Sequence, residues 1–367
     1  MAKEMLINST NVMKCEAHGT QQPRHINQIG EEASTAQRSD SLVQAINQCF
    51  PKILVTGATG QIGAELTLVL RERYGADNVI AAGHRREPSG TLVQAGSYCS
   101  FDVRDAAALE AVVTGRGITT IYHLAALLSA VAEEQPLRAW DINMSGLLNV
   151  LESARQHGCQ VFFPSSIAAF GPGTPPFNTP QDTVQHPSTI YGITKVTGEL
   201  LCDYYYHCYG VDARGVRYPG LISNQVLPGG GTTDYAVDIF YAAVKQRHYD
   251  CFLRADTQLD MMYMPDAIAA AMQLMETDAS RLTHRNGFNV TAMSFTPAQL
   301  AEAIQQHLPD FTIGYAIDPL RQGIADSWPR HMDDSAARAE WGWQPRYDFA
   351  AMVDDMLRHI TAKLRND

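Results

Sequence analysis

The chain has 367 residues, 45% of them hydrophobic, and a formal net charge of -11 at pH 7. That length provides core for one large or two medium domains, and the acidic balance disfavours nucleic acid or an anionic membrane as the main partner. Seven scattered cysteines without a C-x-x-C spacing, 12 histidines without clustered spacing and no apolar run near about 18 residues argue against a disulfide framework, a metal centre and a membrane-spanning helix.

Residues 1–46 are rich in Gln, Asn, Ser, Thr, His and Glu and carry little apolar periodicity. Glu4, Glu16, Glu31, Glu32 and Asp40 make a transit peptide a poor reading, since such segments are poor in acids. A poorly ordered extension is expected, ending in a short helix through Ser41–Gln48. The cysteine usage fits the cytoplasm, with the mitochondrial matrix open. From Lys52 the pattern changes. Lys52-Ile-Leu-Val-Thr56 is a β-branched apolar run, the signature of a buried strand. It leads directly into Gly57-Ala-Thr-Gly60-Gln-Ile-Gly63 and then into a helix with Ile62, Leu66, Val69 and Leu70 on one side. Strand, glycine turn and helix are the context of a dinucleotide-binding turn. Gly57 serves the tight bend, Gly60 the approach of a pyrophosphate, and Gly63 the close packing of helix on strand. The helix N-terminus, at Gln61 and Ile62, then faces the phosphates.

Alternation continues. Strands are predicted at Val79–Ala82, Tyr98–Val103, Thr119–Leu124, Gln160–Pro164 and Asp212–Arg217. Helices are predicted over 106–113, 137–157 and from 188 to about 209. A Pro/Gly-rich loop covers Gly171–Pro187. This order predicts an α/β fold, a doubly wound parallel sheet with helices on both faces. Ligands bind beyond the strand C-termini in such sheets, where Thr56–Gly63, Asp102, Ala125, Ser166 and Tyr218-Pro-Gly all fall. After Gly220 the alternation loosens. Leu227-Pro-Gly-Gly-Gly-Thr-Thr-Asp-Tyr235 is a glycine-rich loop opening a helix, and helices follow at about 265–276, 297–307, 334–341 and 348–363. The expected organisation is thus a 1–46 extension, a 47–220 dinucleotide-binding core, and a smaller 221–367 substrate-binding or lid region with some return to the core.

Within the 188–209 helix, Tyr191 and Lys195 are four residues apart and share a face. A free tyrosine has a pKa of about 10, too high for a base at neutral pH, and a neighbouring ammonium lowers it. The pair therefore reads as a tyrosine tuned to move a proton. Competing structural readings exist for other residues. Ser165 and Ser166 suit a turn, Thr232 and Thr233 a helix N-cap, and Tyr204-Tyr-Tyr206 core and dimer-face packing. His123, His157 and His207 read as structural or exposed.

Gly57-x-x-Gly60-x-x-Gly63, Ser166 and Tyr191-x-x-x-Lys195, in that order, resemble the extended short-chain dehydrogenase/reductase (extended SDR) superfamily over residues 52 to about 363. The resemblance implies a Rossmann core in which Ser166 orients the substrate oxygen, Tyr191 is the acid/base, and Lys195 holds the nicotinamide ribose. It makes Asp102 and Val103 adenine contacts. Leu124, Ala125, Ala126 and Asn143 become the wall beside the cofactor, and Tyr218, Pro219 and Ile222 the segment near the nicotinamide. Six further stretches are similar to the short-chain type of L-threonine 3-dehydrogenase: Ala126–Ala130, Pro164–Gly171, Arg217–Ser223, Pro228–Ala236, Met261–Asp266 and Ser327-Trp-Pro. That resemblance implies L-threonine as a small-molecule substrate, contacted by Ser129, Ser165, Ser166, Tyr191, Gly220, Thr232 and Thr233. It also implies Trp328 in the cleft wall and a homodimer through the 137–157 and 188–209 helices. A nucleotide-sugar epimerase or dehydratase of the same superfamily is the alternative, and a non-catalytic cofactor sensor a third reading. The implied cofactor is NAD. However, Gly83 stands where an acid normally meets the adenosine ribose, and Arg85 with Arg86 leaves NADP open.

Overall fold

In the computed structural model, which describes residues 50–366, Ile53–Thr56 is strand β1 and all four of its side chains are buried. The extension expected over 1–46 and the helix over 41–48 lie outside the described residues. Strand β2 (Val79–Gly83) is also buried throughout, as strands covered on both faces must be. With β3 (Tyr98–Ser100), β4 (Thr120–His123), β5 (Gln160–Phe162) and β7 (Ala213–Arg214) they form a six-stranded sheet in the order β3-β2-β1-β4-β5-β7. Every pairing in it is parallel. Strand order reverses between β1 and β4, which opens a crevice at their C-terminal ends.

Helices α1 (Gln61–Tyr74), α2 (Ala106–Arg116), α3 (Gly146–His157) and α4 (Ile190–Tyr209) flank the sheet. The ends of α2 and α4 are read directly from their residues. Asp105 accepts from Ala108 N–H, Thr189 accepts from Gly192 N–H, and Gly117 and Gly210 close the C-termini with positive φ. On one face of the sheet Leu54, Ile80, Ile121 and Val161 pack on Leu147 and Val150 of α3. On the other, Ile53, Val55 and Tyr122 pack on Leu66 of α1 and on Ala270 and Leu274 of α6 (Met264–Glu276). The C-terminal region thus returns to cover the core sheet, and the described residues fall in one compact unit.

Two expected elements differ. The helix expected over 137–157 is interrupted: Pro136–Trp140 runs into a π-turn, Asp141–Ser145, before α3. The π-turn carries Asn143 inward, where its side chain pairs with both backbone groups of Leu127. The strand expected over 212–217 divides at Gly215, where a Cβ would lie 2.1 Å from the Phe163 carbonyl oxygen. Its second half, β8 (Val216–Tyr218), joins a separate sheet in the order β12-β8-β6, with β6 (Ser165–Ser166) and β12 (Phe288–Asn289). A third sheet, β13-β11-β9, unites β9 (Gly220–Ile222), β11 (Leu259–Tyr263) and β13 (Met293–Phe295). Against it lies an apolar cluster that includes Phe240 of α5 (Tyr235–Gln246), Met261 and Leu300.

Packing at Gly63 sets a testable limit. A Cβ there would be 2.2 Å from the Gly57 carbonyl oxygen, which is backbone and cannot swing away. Gly63→Ala is expected to lower the free energy of unfolding in urea by about 2–3 kcal/mol, as overpacking does. Gly115→Ala, in α2, would meet nothing within 4 Å and should raise it by up to about 1 kcal/mol. Equal effects of the two substitutions would contradict the packing described here.

Candidate active site

The crevice holds two adjoining cavities of about 350 Å³ and about 210 Å³, which share walls at Gly57, Gly60, Leu124 and Ala126. Gly57 has φ +71°, and a Cβ on it would sit 2.7 Å from the Ala125 nitrogen. The turn is therefore closed against the loop after β4. Gly60 caps α1, whose first turn holds no acid, so its positive end is open to an anion. These features fit a dinucleotide, with Gly57, Gly60, Gln61, Ile62 and Gly63 beneath its phosphates.

The larger cavity is lined by Gly83, His84, Arg85, Arg86, Asp102, Val103 and Arg104, followed by Leu124–Leu127. Arg104 grips Asp102 through Nε and Nη2 and holds its carboxyl down at about 2. Asn143 stands behind this wall, where its amide also donates to Thr194 Oγ1 at 3.2 Å.

The smaller cavity brings together Ser129, Ser165, Ser166, Tyr191, Lys195, Tyr218, Pro219, Gly220, Thr232 and Thr233, with Trp328 on its wall. Gly192 makes part of this possible, since a Cβ there would be 2.2 Å from the Ala168 carbonyl oxygen. The start of α4 therefore rests directly on the turn after Ser166. Ser166 does cap that turn, accepting from Ala168 N–H at 3.2 Å, while its hydroxyl still faces the cavity wall beside Tyr191. Thr232 and Thr233 do not cap a helix. The N-cap of α5 is Asp234, and Thr232 Oγ1 instead lies 3.2 Å from Ser129 Oγ. Asp234 accepts from Gly230 and Gly231 N–H, which folds the triple-glycine loop back on itself.

The electrostatics differ from the simple expectation for a Tyr–Lys pair. Burial pushes the Tyr191 phenol up to about 12, with Ser166 drawing it back only in part. Burial also brings Lys195 down to about 8, opposed by the Glu199 carboxylate. Lys195 Nζ donates to the Pro164 carbonyl at 2.6 Å and lies 5.4 Å from the Tyr191 ring centre. Removing the phenolate from water costs more than this engaged ammonium returns.

A family model, the NAD dependent epimerase/dehydratase family, matches residues 53–290. The chain belongs to that family. It is 53% identical over 312 residues to an uncharacterized epimerase/dehydratase of Staphylococcus saprophyticus, covering 85% of this chain and 98% of the other. Among solved structures it is similar to the L-threonine dehydrogenase of Clostridium difficile: 52% identity, TM-score 0.84, 86% of this chain and 98% of that one. The holo form of a GalE-like L-threonine dehydrogenase from Cupriavidus necator is 53% identical, with TM-score 0.82 over 84% of this chain and all of that one.

Several positions in this epimerase/dehydratase-family site depart from their expected place or escaped sequence reasoning. Ile222 is fully buried in the apolar cluster behind the cavity and does not line it, because β9 turns that side chain toward the core. Tyr218 lines the cavity, but its ring packs against Phe162 in the core and its hydroxyl donates to the Ala267 carbonyl at 2.6 Å. Glu199, 4% exposed, was missed. It follows Lys195 by four residues and shares its face, a signal that sequence alone does not separate from a surface ion pair. His123, also buried, lies 2.9 Å from Thr56 Oγ1 through Nδ1.

Burial, then the Lys195 charge, drives His123 down to about 3 from an ordinary 6.5. Below pH 6.5 the unfolded chain takes up a proton there that the folded chain refuses, so this contribution to stability is lost as pH falls. Between pH 6 and 4 the unfolding free energy of the wild type should fall more steeply than that of His123→Asn, by about 1.4 kcal/mol per pH unit. Parallel curves from urea titrations would contradict a neutral, buried His123.

Proposed function

We propose that the protein oxidises the β-hydroxyl of L-threonine to 2-amino-3-oxobutanoate, with a nicotinamide dinucleotide as hydride acceptor. The observation that carries this reading is the smaller cavity itself. Ser166, Tyr191 and Lys195 line it together with four more hydroxyl-bearing residues, Ser129, Ser165, Thr232 and Thr233, in about 210 Å³. Similarity to L-threonine dehydrogenases at about half identity supports it.

The chemistry needs a base for the hydroxyl proton and a hydride acceptor at the same carbon. Tyr191 takes the proton, Ser166 holds the reacting oxygen, and Lys195 contributes positive charge beside the phenol. When bound, the dinucleotide supplies the hydride-accepting carbon and, in its oxidised form, a positively charged ring. Ser165 gives its hydroxyl hydrogen to Glu199, so its oxygen offers only lone pairs to the cavity. That suits a donor such as the substrate ammonium. A small zwitterion leaving water needs such partners on every side. A nucleotide-sugar reaction is less well supported. A diphosphate calls for basic partners, and Lys195 is the single cation among the described residues lining this cavity.

The test is an assay at the reduced-nicotinamide absorbance band. L-Threonine should be turned over and nucleotide sugars should not. Tyr191→Phe should lose at least about 1,000-fold in kcat while still binding the dinucleotide in a fluorescence titration. An active Tyr191→Phe enzyme would contradict the assigned base.

A homodimer is part of the same proposal. Leu137, Trp140, Leu148, Ile193, Leu200 and Tyr204 are all exposed on α3, α4 and the helical turn before them. Apolar side chains exposed in that number on adjacent helices suit a partner copy. Light scattering should give twice the chain mass, and Leu200→Glu with Tyr204→Glu should shift it toward the monomer. A monomeric wild type would contradict this.

A further inference from the structure

The end of β2 carries information that the proposed reaction does not use. In dinucleotide folds an acid at this point accepts the hydrogen of the adenosine 2′-hydroxyl. Here the residue is Gly83, and a larger side chain would have to displace its neighbours. A Cβ would sit 2.5 Å from Tyr98 Oη and 3.0 Å from Thr59 Cγ2. Asp102, the one carboxylate among the described residues lining the cavity, is already engaged. Arg104 bonds both of its oxygens, and His84 Nδ1 lies 3.5 Å from one of them.

Four arginines line this cavity, at positions 85, 86, 104 and 138. Two are engaged, Arg104 with Asp102 and Asp141, and Arg138 with Gln135. Arg85 and Arg86 are exposed and make no side-chain hydrogen bond or ion pair among the described residues. They follow Gly83 after His84, at the sheet end where an adenosine ribose lies in this fold. We propose that this end of the cleft selects the 2′-phosphorylated dinucleotide, NADP, over the NAD that the family resemblance implies. Guanidinium groups pair with phosphate oxygens through short, charge-assisted hydrogen bonds, and two free ones face no competing acid here. The 2′-hydroxyl of NAD, by contrast, finds no free carboxylate.

The inference rests on the proposed use of a nicotinamide dinucleotide, and the test separates the two. Isothermal titration calorimetry on the full chain would compare NADP with NAD, and 2′,5′-ADP with 5′-AMP, at about 0.1 M salt. The 2′-phosphorylated member of each pair should bind at least about 10-fold tighter. That ratio should collapse toward unity in Arg85→Ala/Arg86→Ala, whose exposed side chains leave the fold intact. Higher salt should shrink it in the wild type. NAD binding as tightly as NADP, or a ratio unchanged in the double variant, would overturn the selection alone. Failure of both dinucleotides to bind would overturn the dinucleotide reading and this inference with it.

Discussion

A buried ion pair, Glu199 with Arg217, holds the wall of the proposed active site in register. The side chains are 5% and 9% exposed, and Arg217 Nη2 donates to Glu199 Oε2 at 2.8 Å. Taking two charges out of water is costly, and such a pair persists only where further hydrogen bonds satisfy both groups. Here they do. Glu199 also accepts from the Ser165 hydroxyl and from the Gln185 amide, and Arg217 donates to the Gln181 carbonyl and to Asn289 Oδ1. The guanidinium lies over the Phe170 ring at 5.0 Å. One pair thereby ties together α4, which bears Tyr191 and Lys195, with β6, β8, β12 and the loop before α4. Breaking a pair of this kind by removing one partner costs about 3–5 kcal/mol. Gly287 belongs to the same arrangement, since a Cβ there would lie 2.9 Å from Glu199 Oε2.

The pair also explains the division of labour around it. Ser165 and Ser166 are adjacent on β6, opposite Arg217 and Tyr218 on β8. Both line the cavity, yet the two hydroxyls serve different partners. Ser165 is turned to Glu199 and fixed as a donor to it, while Ser166 remains beside the phenol. On the other side of α4, His123 is kept neutral by burial and by Lys195 itself. Lys195 is thus the charge that the site keeps near Tyr191, held in place by the Pro164 carbonyl.

Much of this was legible in the chain because the local signals are backbone signals. Gly57, Gly60 and Gly63 follow a buried β-branched run and precede an apolar helical face, and only one architecture satisfies all three. Tyr191 and Lys195 needed only helical spacing. What stayed hidden depends on tertiary packing. The π-turn at Asp141–Ser145 adds no residue type that marks it, and the break at Gly215 reads as continuous strand until the Phe163 carbonyl is placed against it. The family resemblance puts Ile222 near the nicotinamide with Tyr218, Pro219 and Gly220, yet its side chain is buried in the apolar cluster behind the cavity. Glu199 and Arg217 lie eighteen residues apart on different elements, and no sequence period connects them. The tuning of Tyr191 is likewise a balance between burial and charge, which spacing alone cannot weigh.

The proposed reaction removes a hydride from the β-carbon of L-threonine. The most direct measurement uses L-threonine deuterated at that carbon, with mass spectrometry of the reduced dinucleotide and of the amino ketone. One deuterium should move to the dinucleotide for each 2-amino-3-oxobutanoate formed. Product formed without label in the dinucleotide, or an unreduced dinucleotide while a nucleotide sugar is interconverted, would contradict it.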